Sequence, residues 1–142
     1  MVKIQPIPIR EVMSRELLII RKDDKLSRVE EIFKAYNIHH LPVVDEAGQL
    51  CGIISRADQS RAAHLIAHQG QGALQQADAE DIMPAQVATI GPNDPLHKAA
   101  EIFLSNVFHA LPVVDRNQLI GMITTHDILR FCFNDDLLLD NE

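Results

Sequence analysis

The sequence predicts a mixed α/β (α+β) protein made of two β-α-β-β-α repeats packed with pseudo-twofold symmetry. Three observations carry that expectation. Residues 10–45 align with residues 80–115 at a constant offset of 70, and 13 of the 36 positions are identical. After a one-residue deletion in the second copy, Gly52-Ile53-Ile54-Ser55-Arg56-Ala57-Asp58 matches Gly121-Met122-Ile123-Thr124-Thr125-His126-Asp127. Within each copy, apolar runs of strand length alternate with segments of helical periodicity. Finally, 142 residues at 46% hydrophobic content suit about one domain, and with no Trp and one Tyr its core must be aliphatic. Half of that chain, about 60 residues, makes a marginal core, so neither repeat is expected to be stable alone.

Each copy opens with a leader ending in Glu11-Val12-Met13 or Asp81-Ile82-Met83. The stretches Leu17–Ile20 and Val87–Ile90 are short enough to be strands. A helix follows in each copy. In the first, Leu26, Val29, Ile32, Phe33 and Tyr36 recur at helical spacing and give one apolar face, and Asn37 fits a left-handed stop. In the second, Asp94 suits an N-cap and Pro95 the first helical position. Asn106-Val107 there calls for a different helix end. The Val-rich blocks Leu41–Asp45 and Leu111–Asp115 are predicted strands. The turns Glu46-Ala47-Gly48-Gln49 and Arg116-Asn117-Gln118 lead to Leu50–Ile54 and Leu119–Ile123, giving a hairpin in each copy. Second helices are expected to start near Ser55 and Thr124. His68–Gln76, polar and carrying two glycines, reads as a linker. The expected domain limits are 8–66 and 78–133, joined by 67–77 and followed by an acidic tail, 134–142.

Thirteen basic and twenty acidic residues give a net charge of −7. That balance argues against non-specific binding to nucleic acid or anionic lipid, although a local cationic pocket stays open. No run approaches the roughly 20 apolar residues of a membrane span, and MVKIQPIPIR lacks the apolar stretch of a secretory signal. A soluble cytoplasmic protein is expected. Cys51 and Cys132 lie in apolar runs without metal-like spacing, which predicts buried free thiols.

The strongest candidate for chemistry is Ser55-x-x-Asp58 with its twin Thr124-x-x-Asp127, each closing a strand and opening a helix. Two readings of it stand. The pattern is a helix cap in which hydroxyl and carboxylate satisfy free backbone N–H groups. The second reading is a ligand site, because a helix N-terminus attracts an anion while an acidic side chain accepts hydrogen bonds from a ribose diol. His64 and His68, four apart on a predicted helix, could supply two zinc ligands, but no third is evident and no metal site is assigned. The sequence has no glycine-rich phosphate loop, no Gly-x-Ser-x-Gly elbow and no Cys/His pair in a recognisable context. Thr125-His126-Asp127 are neighbours in sequence, which seldom form a triad. No enzymatic activity is expected, and no catalytic cofactor.

The order of Met, strand, helix, hydrophobic-Pro-Val-Val-Asp hairpin and Gly-hydrophobic-hydrophobic-Ser/Thr-x-x-Asp resembles the cystathionine β-synthase (CBS) domain, which occurs as tandem pairs called Bateman modules. The resemblance covers about residues 8–66 and 78–133. It implies two clefts between the repeats that bind adenosine-containing ligands such as AMP, ADP, ATP or S-adenosylmethionine. Asp58 and Asp127 would then hold ribose hydroxyls, with Ser55 and Thr124 near ribose or phosphate. Ile19, Ile20, Thr89 and Ile90 match positions that sandwich adenine, and Ile19 departs from the Thr often found there. His39, His40 and His109 match positions that reach phosphate in some members, whereas Ala110 replaces a residue that is often basic. The implied role is a regulatory ligand-sensing module acting on an unknown partner protein. The alternative is a structural or dimerisation scaffold whose clefts hold no ligand. A homodimer is expected in either case, because Ile128, Leu129, Phe131, Cys132 and Phe133 make the last helix apolar on too many faces for full solvation.

Overall fold

A computed structural model of the chain describes residues 6–70, 72, 76–84, 87–105 and 107–133. The expected acidic tail 134–142, Asn106 and part of the linker lie outside the described residues. The elements run β1 (Ile20–Arg21), α1 (Leu26–Ala35), β2 (His40–Val44), β3 (Leu50–Ser55), α2 (Arg56–Ile66), α3 (Leu96–Leu104), β4 (Ala110–Asp115), β5 (Gln118–Thr124) and α4 (Thr125–Cys132). This is the expected α+β order, but the leading strands are shorter than the runs Leu17–Ile20 and Val87–Ile90. In the first repeat only Ile20 and Arg21 pair, in parallel with Val43 and Val44. In the second, the strand contracts to the single bridge Ile90↔Val113. Proline explains the limit. Ile90 N–H donates to Pro112 O and Val114 N–H donates to Ile90 O. The next upstream bond would need an N–H on Pro112, which has none, and Pro42 stands at the same place in the first repeat.

The chain divides into two compact units whose membership cuts across the repeats. Of the described residues, the first unit comprises 18–70, 72, 76–84 and 87, with 117–119. Its sheet has the order β1-β2-β3, with β2 and β3 antiparallel and paired at Leu41↔Ile54 and Val43↔Gly52. Helix α1 buries Leu26, Val29, Ile32 and Phe33 of the expected stripe in one core with Ile20, Leu41, Val43 and Ile54, whereas Tyr36, also expected on that face, lies just past the helix end and is exposed. At about 1.5–3 kcal/mol for each fully buried aliphatic or Phe side chain, this face rather than helix propensity holds α1 in place. Ala79, from the leader of the second repeat, completes that core. The leader is fixed by hydrogen bonds from Leu26 N to Ala77 O (2.8 Å) and from Ala79 N to Asp24 O (2.7 Å).

Of the described residues, the second unit comprises 6–17, 88–105, 107–116 and 120–133. Its core repeats the first almost position for position: Ile90, Leu96, Ala99, Phe103, Leu111, Val113 and Ile123, with Ile9 from the first leader where the first unit has Ala79. Ile9 N donates to Asp94 O (2.9 Å) and Leu96 N to Ile7 O (2.6 Å). Each leader therefore completes the core that holds the body of the other repeat. At the tip of the second hairpin, Arg116 and Asn117 both take positive φ (51° and 67°). A tight two-residue hairpin turn requires that conformation.

Three expectations are corrected. Asn37 is not a left-handed stop: α1 ends when Tyr36 turns extended (φ −126°, ψ 143°). The departing carbonyls of Tyr36 and Ile38 are then taken by the Arg56 guanidinium. Asp94 does not cap α3. Pro95 occupies the cap position, and Asp94 Oδ2 instead accepts from Gly91 N (2.8 Å), closing the turn before the helix. Asp24 does the same for Arg21 N in the first repeat (2.8 Å). The cysteines are not buried: Cys51 is half-buried and Cys132 is exposed in the last turn of α4. An apolar run there reflects a helix with uncovered apolar positions rather than a buried one.

Candidate ligand sites

Both candidate sites are strand-to-helix turns. In the first unit β3 ends at Ser55, whose extended backbone (φ −84°, ψ 159°) places its side chain over the first turn of α2. Ser55 Oγ accepts from Asp58 N (3.0 Å), and Ser55 N donates to Asp58 Oδ2 (3.0 Å). In the second unit Thr124 Oγ1 accepts from Asp127 N (3.1 Å), and Thr124 N donates to Asp127 Oδ2 (2.9 Å). Reciprocal capping boxes therefore form at both sites, as the first reading of the motif required. Capping uses only one oxygen of each carboxylate. The other carries the difference between the sites: Asp58 Oδ1 accepts from Arg61 Nη2 (3.1 Å), whereas Asp127 Oδ1 accepts from Ser14 Oγ (3.3 Å).

The remaining site residues divide by burial. Ile20 and Ile90 point into the cores of their units, whereas Ile19 and Thr89, one residue earlier, are exposed. His39 and His109 are exposed and His40 is half-buried. His40 pairs directly with Ser55 across β2 and β3, which puts it on the same sheet face as the start of α2. Ala110 stands at the corresponding place in the second repeat and offers no polar group. Among the described residues, no hydrogen bond joins Ile19 or Thr89 to the helix starts.

Arg56 was not singled out by the sequence. Its guanidinium donates to Ile38 O (3.0 and 2.7 Å) and Tyr36 O (3.0 Å) and lies 5.3 Å from the centroid of the Phe33 ring. Its backbone N–H donates to His39 O (2.8 Å). It thus fixes the segment that presents His39 and His40 to α2, through charge-assisted bonds and a cation–π contact. Thr125 fills the position in the second repeat with longer bonds to His109 O, 3.3 Å from N and 3.4 Å from Oγ1. The sequence signal was the position itself, directly after the capping Ser, but nothing local revealed carbonyls arriving from residues 36 and 38. His64 and His68 stack edge to face at 5.5 Å, and no group of three metal-ligating side chains occurs among the described residues. Nor is any described helix long and apolar enough to cross a membrane.

Comparison with known proteins agrees with this geometry. The CBS domain family matches residues 9–58 and 79–134. A CBS domain-containing protein of Dictyostelium discoideum is 32% identical over 127 residues, covering 85% of this chain and 88% of that protein. Homoserine O-acetyltransferase of Methanococcoides burtonii is 34% identical over 86% of this chain but only 23% of the enzyme's own length. The chain thus spans about a quarter of several curated relatives it matches. Among solved structures, a putative acetoin utilization protein from Vibrio cholerae superposes with a TM-score of 0.81 at 24% identity, over 96% of this chain and 98% of that one. The CBS domain pair of protein MJ0100, in complex with 5′-methylthioadenosine and S-adenosyl-L-methionine, gives 0.75 at 26% identity, over 92% and 98%. With two family matches on one chain and two matching strand-to-helix turns, this protein belongs to the CBS domain family and carries the domain as a tandem pair.

Proposed function

We propose that the chain is a cytoplasmic, non-catalytic regulatory module that senses an adenosine-containing small molecule at the starts of α2 and α4. Asp58 and Asp127 accept the ribose hydroxyls, and Ser55 and Thr124 lie beside ribose or phosphate. Ile19 and Thr89 flank adenine, next to Ile20 and Ile90, whose side chains belong to the cores. His39, His40 and His109 serve the phosphate edge. One observation carries this reading: each duplicated turn commits one carboxylate oxygen to the cap and leaves the other on an exchangeable partner, Arg61 or Ser14. The MJ0100 domain pair, solved with 5′-methylthioadenosine and S-adenosyl-L-methionine, supports the ligand class. The regulated protein is a separate domain or chain of unknown identity.

Calorimetric titration with AMP, ATP and S-adenosylmethionine tests the reading, using Asp58→Asn and Asp127→Asn. Asn keeps an oxygen for the cap but removes the charge. Each variant should lose about 10- to 100-fold in affinity at one site, taking roughly 1.5–3 kcal/mol for a hydrogen bond to a charged group. Parent-like binding by both variants would end the ribose assignment. A scaffold without ligand is the second reading, favoured by one fact: both carboxylates already have protein partners on both oxygens. Under it all three titrations are silent. In either case we propose a homodimer. Leu129 on the last helix and Phe133 directly after it are 54% and 70% exposed, so light scattering should give about twice the 15.9 kDa chain mass. A monomer mass at micromolar concentration removes the dimer.

A further inference from the structure

We propose that Arg61 is a specificity-determining residue that makes the Asp58 site select adenosine compounds bearing a 5′ phosphate, while the Asp127 site accepts an adenosine compound with or without one. The inference rests on the ribose reading of the two aspartates. Both sites carry an arginine one helical turn after the aspartate, Arg61 and Arg130, yet the two carboxylates are engaged differently. Asp58 Oδ1 receives the Arg61 guanidinium at 3.1 Å, with the Arg61 side chain 69% exposed. Asp127 Oδ1 receives the uncharged Ser14 hydroxyl, and Arg130 makes no ion pair with Asp127 among the described residues. The leader residue explains the difference. Ser14 supplies that hydroxyl, and its counterpart at the offset of 70 is Pro84, which has no side-chain donor.

A ribose diol arriving at Asp58 must take an oxygen that a guanidinium holds. A neutral nucleoside offers the displaced cation nothing in return, so exchange costs the ion pair. A phosphate on the 5′ carbon gives the released guanidinium an anionic partner in the planar, bidentate geometry it favours. At Asp127 the displaced group is a neutral hydroxyl at a long 3.3 Å, which any ribose can replace at little cost.

The test is calorimetry with AMP and 5′-methylthioadenosine in an Asp127→Asn background, which leaves the Asp58 site to report. AMP should bind about 10-fold more tightly than 5′-methylthioadenosine, the scale of one charge-assisted contact. Adding Arg61→Ala should erase that preference by weakening AMP and strengthening 5′-methylthioadenosine, and Arg61→Lys should restore part of it. Arg61 lies on the solvent face of α2, so an unchanged melting curve should confirm that each variant is folded. If the ratio of the two affinities is unchanged by Arg61→Ala, Arg61 is only a surface ion pair and the inference is wrong. Failure of the parent protein to bind either compound overturns the ribose reading, and this inference with it.

Discussion

The two units occupy the same positions with different chemistry. Their cores share most positions, but volume is traded between leader and helix: Ile9 accompanies Ala99 in the second unit, and Ala79 accompanies Val29 in the first. Each sum is one branched and one small side chain, alike to within one methylene, so similar space is filled from opposite sides. The leaders dock by homologous bridges, Pro8↔Pro95 in the second unit and Lys25↔Asp78 in the first. Two prolines thus stand where the first unit has an ion pair. Two residues beyond Val12 the trend reverses. Ser14 exchanges two backbone hydrogen bonds with Met122, at 2.8 and 3.0 Å, which Pro84 could not fully reproduce. What duplication preserved here is packing geometry, while polarity at the leader contacts and at the carboxylates diverged.

The largest effect should come from cutting between the repeats, because each leader fills the other body's core. A fragment of residues 1–66 holds the first body without Ala79, and a fragment of residues 77–142 holds the second body without Ile9. Neither should show a cooperative thermal transition by circular dichroism, whereas the two expressed together should regain one. A cooperative transition in either fragment alone would mean that a leader is dispensable and that the units are less alike than their cores indicate.

A smaller contrast lies in two glycines that seat the leader methionines. A Cβ built on Gly52 would come within 2.6 Å of Met83 Sδ, and one on Gly121 within 2.7 Å of Met13 Sδ and 2.9 Å of the Ser14 backbone oxygen. Met83 is a flexible thioether that can swing aside, but the Ser14 carbonyl is tied to Met122 and cannot. Gly52→Ala should therefore cost about 1 kcal/mol and Gly121→Ala about 3 kcal/mol, the two ends of the usual overpacking range. Denaturant midpoints at equal slope measure both. Equal costs would show that the methionines, not the carbonyl, set the limit.

These glycines mark where sequence reading ran out. The Gly-hydrophobic-hydrophobic-Ser/Thr order was visible, and so were both hairpins, the α1 stripe and the two capping boxes, because each is encoded within a few residues. Periodicity and capping chemistry are local. The role of Gly52 and Gly121 is not: it depends on Met83 and Met13, which arrive from far along the chain. The same holds for Arg56, whose function is set by carbonyls 18 and 20 residues earlier. Asp94 departs from its expected capping role for a subtler reason. A carboxylate before Pro suits an N-cap, but the Gly91 N–H lay within its reach and completed a turn one step earlier. The exchange of leaders left no trace in the repeat alignment, since a repeat records which segments are alike and not which body they complete.

The smallest difference, and the most selective, is the ion pair at the first unit's leader. Lys25 Nζ donates to Asp78 Oδ1 at 2.7 Å, and the Asp78 carboxylate, through that bond and its charge, raises the Lys25 pKa above its ordinary 10.5. A raised lysine pKa contributes stability that is fully present below about 10.5 and is lost as pH climbs through the higher folded value. Both side chains are partly exposed, so the contribution is modest and screened by salt. The second unit carries Pro8 and Pro95 at these positions and has nothing there to titrate. Denaturant unfolding of the parent should therefore weaken between pH 10 and 12 by slightly more than that of Lys25→Gln, whose remaining losses at high pH are shared by both proteins. At pH 7, added salt near 1 M should narrow the gap between the two, because the Debye length then falls to about 3 Å. If the two proteins follow the same pH curve, the bridge Lys25↔Asp78 is held by its backbone alone, and the leader contacts of the two units are energetically alike despite their different residues.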